Sequence, residues 1–159
     1  MMGPVVPTIE DVEAFKAKEF FQSLPLNVEE DPISMGFLGG YNLAAPMSFW
    51  DANPELRDAI AGGCGPGGAG DMLVPDRIYF LKVTLACKIH DWCFAVWNDD
   101  AGFKKANDIF KNNSLRIIEQ HGSWCKALHF LRKKRAITYY KAVHHFGKPS
   151  FFDSHKRLV

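Results

Sequence analysis

Two short runs carry the residues that could do chemistry. One is Ala86-Cys87-Lys88-Ile89-His90-Asp91-Trp92-Cys93; the other, upstream, is Gly62-Gly63-Cys64-Gly65-Pro66-Gly67-Gly68. His90 is a base that titrates near neutral pH. Asp91 beside it is a hard oxygen ligand of the kind calcium prefers. Neighbouring residues on a helix point about 100° apart. One of the pair can therefore hold a cation while the other activates a water beside it. Gly63, Gly65 and Gly67 alternate in the loop. Glycine accepts positive φ, so such a loop can aim several backbone carbonyls at one point. Calcium takes roughly six to eight oxygens. Together these parts are suited to cation-assisted attack of water on an acyl ester.

Other readings compete. The glycine run taken alone reads as an ordinary turn after a helix. Gly63, Gly65 and Gly68 match the spacing of a dinucleotide loop, but no strand precedes them and Pro66 interrupts them. A phosphate-binding loop fails because no Gly-Lys-Ser/Thr follows. Cys87, His90 and Cys93, with Cys64 as a fourth ligand, form a zinc alternative. That alternative leaves Asp91 and the glycines unexplained. His144-His145 reads either as a metal pair or as a helix-end pair favoured by the C-terminal dipole.

Helices must position these residues. Apolar residues at Val83, Ala86, Ile89, Cys93, Val96 and Trp97 predict a helix over 83–97. A turn at 98–102 leads to a second helix over 103–121, ended by Gly122. The short turn requires antiparallel packing. A third helix is expected over 124–146 and a mobile tail from Ser150. Residues 51–61 read as a short helix capped by Asp51. Residues 1–34 read as a loose lead-in with one helix near 9–23, capped by Thr8. Residues 35–50 read as an apolar connector. No strand series is evident, so the expected fold is mainly α-helical. The expected organisation is a lead-in over 1–50, a catalytic domain over 51–148 and a tail over 149–159.

The chain has 159 residues and is 47% hydrophobic, which suits one domain with a core and excludes a disordered chain. Residues 1–100 carry six Lys/Arg against fifteen Asp/Glu; residues 101–159 carry thirteen against three. The basic third can face an anionic surface or neutralise the acidic part of its own fold. Arg132-Lys133-Lys134-Arg135 is the candidate membrane-facing run; nucleic-acid binding has no motif behind it. Residues 1–15 lack Lys and Arg and contain Glu10, Asp11 and Glu13, unlike a secretory leader. A cytoplasmic origin, or export by another route such as carriage on a virion, is expected. No run is long and apolar enough to span a bilayer.

Cys64-Gly65-Pro66-Gly67-Gly68 and Cys87-Lys88-Ile89-His90-Asp91-Trp92-Cys93 resemble the secreted phospholipase A2 superfamily, more narrowly its bacterial and phage-encoded branch. Val74-Pro75-Asp76, Ala106-Asn107-Asp108-Ile109-Phe110 and Tyr139-Tyr140-x-x-Val143-x-x-Phe146-Gly147 extend the likeness over roughly residues 50–148. The resemblance implies a core of two antiparallel helices carrying the site, a glycine-rich calcium loop and an added basic C-terminal helix. It implies His90 as general base and calcium held by Asp91 with the carbonyls of Gly63, Gly65 and Gly67. The Gly65 N–H would serve as an oxyanion donor, and Cys64 and Cys87 would form a disulfide. Phospholipid is the implied substrate and partner surface. Two positions depart from the family. Phe94 stands where a Tyr is common. The aspartate that orients the histidine falls on Asn107, with Asp108 as the alternative if the helix turns. The resemblance therefore implies either a slowed hydrolase or a binding module on the same fold. Cys93 has no family partner here, and Cys125 is the one remaining cysteine.

Overall fold

The computed structural model describes residues 8, 18, 19, 22, 23, 26–61 and 77–154. The glycine loop with Cys64, and the segment to Asp76, lie outside the described residues, as does most of the helix expected near 9–23. Lys18, Glu19, Gln22 and Ser23 are helical.

The described chain is mainly helical. A one-turn 3-10 helix (Val28–Glu30) precedes strands β1 (Ile33–Leu38) and β2 (Tyr41–Pro46). Helices α1 (Met47–Asp51) and α2 (Pro54–Ile60) follow. Next come the two-residue strands β3 (Arg77–Ile78) and β4 (Leu81–Lys82). The chain then runs through α3 (Thr84–Val96), α4 (Asp100–His121), α5 (Lys126–Phe146) and α6 (Lys148–Ser154).

α3 forms the centre, burying Ala86, Ile89, Trp92, Cys93 and Val96 among its other inward residues. α4 runs back along it. Phe94 meets Phe103, and one turn further His90 meets Asn107, as opposed helix directions require. Asp99 caps α4 by accepting from the Gly102 N–H at 2.7 Å, so the helix starts three residues before the expected Phe103. Gly122 ends it at φ 68°, a value that favours glycine.

The expected apolar connector is an antiparallel hairpin. Ile33 pairs with Pro46 and Leu38 with Tyr41, and Gly39-Gly40 turn between them at positive φ. Leu43, Ala45 and Phe49 join the same hydrophobic core as α3 and α4. The outer edge of β2 is completed by side chains of α4. Asn113 accepts from Ala44 N and donates to Ala44 O; Gln120 does the same for Asn42. Two amide side chains thus take the place of a third strand.

Asp31 ties the lead-in to this core. Its buried carboxylate accepts from Ser48 N (2.9 Å), Ser48 Oγ (2.6 Å) and Trp97 Nε1 (3.1 Å). Ser48 Oγ in turn accepts from Trp92 Nε1. The helix expected over 51–61 is α2, which starts at Pro54, and Asn53 rather than Asp51 caps it, accepting from Leu56 N at 2.8 Å; Asp51 instead ends α1. The expected mobile tail begins instead with α6. Pro149 falls in its first turn, where a missing N–H costs nothing.

Candidate active site

α3 presents His90 toward α4, where the residue is 8% exposed. Its Nε2 lies 2.8 Å from Asn107 Oδ1. A carbonyl oxygen only accepts, so this bond selects the tautomer with hydrogen on Nε2 and leaves the lone pair on Nδ1. Phe94 stands 4.1 Å and Phe110 5.1 Å from the histidine, centroid to centroid. Burial among these rings disfavours the imidazolium and pushes the His90 pKa down to about 4, against the smaller opposing effect of Asn107. His90 is therefore neutral at pH 7 and available as a base.

Asn107 is fully buried, and its Nδ2 has no hydrogen-bond partner among the described residues. An orphaned buried donor costs about 1–3 kcal/mol. Packing alone gives no reason to keep an amide there; holding the histidine does. Asp108, the alternative partner for His90, lies elsewhere. It acts on the Tyr140 phenol, whose pKa is raised first by burial and then by the Asp108 carboxylate. The 3.6-residue period turns position 108 away from α3 when 107 faces it.

Asp91 is half-buried and follows His90 on the same helix. The proposed carbonyl ligands of Gly63, Gly65 and Gly67, and the Gly65 N–H, lie outside the described residues. Asp91 and backbone carbonyls would form a set of hard oxygen donors, which suits calcium. No cluster of three or more His, Cys, Asp or Glu suited to a metal occurs among the described residues. The zinc alternative fails on its own ligands. Cys87 is disulfide-bonded, Cys93 is a buried free thiol whose pKa burial pushes well up, and His90 Nε2 is engaged by Asn107. Cys125 is also a free thiol, so Cys93 and Cys125 are not paired. His144 stacks on Phe103 and Tyr140 and meets the His145 ring edge-on at 5.8 Å.

The basic run is mostly consumed within the fold. Arg132 is 7% exposed, and its Nε and Nη2 donate to Tyr79 O at 3.3 and 3.0 Å. Lys133 pairs with Glu119. Arg135 donates to Tyr79 Oη at 3.2 Å and stacks over that ring. Lys134 is exposed. Sequence reasoning missed what this run holds: the β3–β4 turn, where Tyr79 and Phe80 both have positive φ and Phe80 is 88% exposed. It also missed α6, whose buried Phe151 packs edge-on against Phe94 and Phe103. The Gly147-x-Pro149 spacing is the signal that a new helix starts after α5.

No protein-family model, curated protein or solved structure matches this chain. No helix among the described residues is long and apolar enough to cross a membrane.

Proposed function

We propose that this chain is a calcium-dependent hydrolase of the phospholipase A2 type, cleaving an acyl ester of glycerophospholipids with slow turnover. The observation that carries the reading is the buried His90–Asn107 pair, which leaves Nδ1 as a neutral base. In this reading His90 Nδ1 takes a proton from the attacking water, and Asn107 holds the ring in the required tautomer. Phe94 and Phe110 keep bulk water from the imidazole. Asp91 and the carbonyls of Gly63, Gly65 and Gly67 would hold calcium, which would supply positive charge at the ester oxygen. The Gly65 N–H would add an oxyanion donor, and a Cys64–Cys87 disulfide would anchor the loop to α3. The lipid surface meets Lys134, with exposed Phe130 one turn before it and Leu131 beside that.

Asn107 also favours a second reading. A neutral amide stabilises the imidazolium less than a carboxylate does, and a histidine with a pKa near 4 is a weak base. The same fold would then serve as a lipid- or protein-binding module without turnover. Fatty-acid release from mixed phospholipid vesicles decides between them, measured with calcium and with chelator, for this chain and for His90→Ala. Release that requires both calcium and His90 supports the hydrolase. No release from the folded chain supports the binding module.

A further inference from the structure

The hairpin has two edges, and only one is sealed. Leu38 pairs with Tyr41 across the two-residue turn, so the backbone groups of Ser34, Gly36 and Leu38 face β2 while those of Ile33, Met35 and Phe37 face away. The same alternation on β2 turns Asn42 and Ala44 outward, where Gln120 and Asn113 satisfy them. β1 has no such cover. Among the described residues nothing accepts from the outward N–H groups of Ile33, Met35 and Phe37, and Met35 O receives only Ser34 Oγ, at 3.4 Å. The side chains at these positions share one face of the strand, where Met35 is 53% and Phe37 71% exposed. Trp50 backs the opposite face, since a Cβ on Gly36 would lie 2.6 Å from its ring. Open edges are normally blunted by a charge, a proline or a bulge. β1 has none of these: its register with β2 is unbroken, and no residue from Ile33 to Pro46 is charged, in a chain that is 23% charged.

We propose that β1 pairs with β1 of a second copy of this chain, antiparallel about a twofold axis at Met35, to give one continuous sheet across a dimer. The strand fits itself. Outward groups recur at every second residue, so the twofold sets Met35 opposite Met35 and Ile33 opposite Phe37, and each outward N–H meets an outward carbonyl. Met35 and Phe37 then exchange water for hydrocarbon. An uncharged hairpin brings no repulsion to its own copy, whereas a charged partner strand would find no counter-charge on it. One strand pair falls below the roughly 1,200 Å² of lasting interfaces, so the dimer exchanges with monomer, with a Kd of about 10 µM to 1 mM. The pairing does not rest on the hydrolase reading.

Sedimentation velocity on the full chain, from about 5 µM to about 1 mM, should show monomer passing into dimer. Met35→Lys places two like charges at the axis and should weaken the dimer at least about tenfold, and Met35→Glu should do the same. Mixing these two variants brings opposite charges together and should restore a mixed dimer. Far-UV circular dichroism and the melting temperature check that both variants fold. Phe37→Lys, at the more exposed position, should also weaken the dimer and serves if either Met35 variant does not fold. A chain that stays monomeric over the whole range overturns the proposal, and so does a dimer that none of these variants weakens. A mixture of the two folded Met35 variants that remains monomeric overturns it as well, because only a strand facing its own copy at Met35 is rescued by opposite charges.

Discussion

Lowering the pH should unload His90 in a measurable way. The folded ring has a pKa of about 4, against 6.5 for the exposed side chain. A depressed histidine pKa means that the unfolded chain binds the extra proton first. The stabilisation is complete above about pH 6.5 and is lost as pH falls toward 4. At 1.36 kcal/mol per pH unit, the full gap is worth about 3 kcal/mol, of which about 2.5 kcal/mol should be gone at pH 4.5. Urea unfolding at pH 7 and pH 4.5 measures the loss. Carboxylates titrate in the same range, so the comparison is with His90→Gln, which keeps a donor for Asn107 and removes the titration. The difference between the two pH-dependences isolates His90. A pH-dependence that is the same in both proteins, or an NMR titration placing folded His90 near 6.5, would refute the buried neutral pair.

Asn107→Asp should raise the His90 pKa above 4, read by NMR, and should increase calcium-dependent ester turnover at least about tenfold, because a carboxylate stabilises the imidazolium. Asp31→Ala strands Ser48 N, Ser48 Oγ and Trp97 Nε1; chemical denaturation should show a loss of about 3 kcal/mol or more. Phe80→Gly relieves a positive φ at an exposed position and should raise the melting temperature, with a gain of up to about 1 kcal/mol.

The helical part of the fold is readable from period alone. Val83, Ala86, Ile89 and Cys93 mark the inner face of α3, and the α4 phase places Asn107 inward between Phe103 and Phe110. Because both helices have clean stripes and a short connection, the encounter of His90 with Asn107 follows. The hairpin is less readable. Leu43 to Pro46 is a continuous buried run rather than an alternating one, since α4 covers it. Period 2 is therefore lost, and Gly39-Gly40 looks like an interruption instead of a turn. The basic run misleads for a different reason. Charge suggests solvent, whereas Arg132 shares the inward stripe of Ala136 and Val143. Its long side chain can bury its stem and still satisfy its nitrogens on a carbonyl. What Arg132 reaches, a turn 53 residues earlier, is tertiary information that no local window contains.

The amide side chains that finish β2 impose an order on synthesis. Asn113 and Gln120 lie 69 and 78 residues beyond the backbone groups they bond. A nascent chain that has released only the hairpin carries a bare strand edge beside Leu43 and Ala45, and such edges recruit other chains. The hairpin must wait for α4 to leave the ribosome before it is sealed. Slow elongation between residues 46 and 113 would lengthen that wait and raise the yield of aggregate, even though the finished protein would be unchanged.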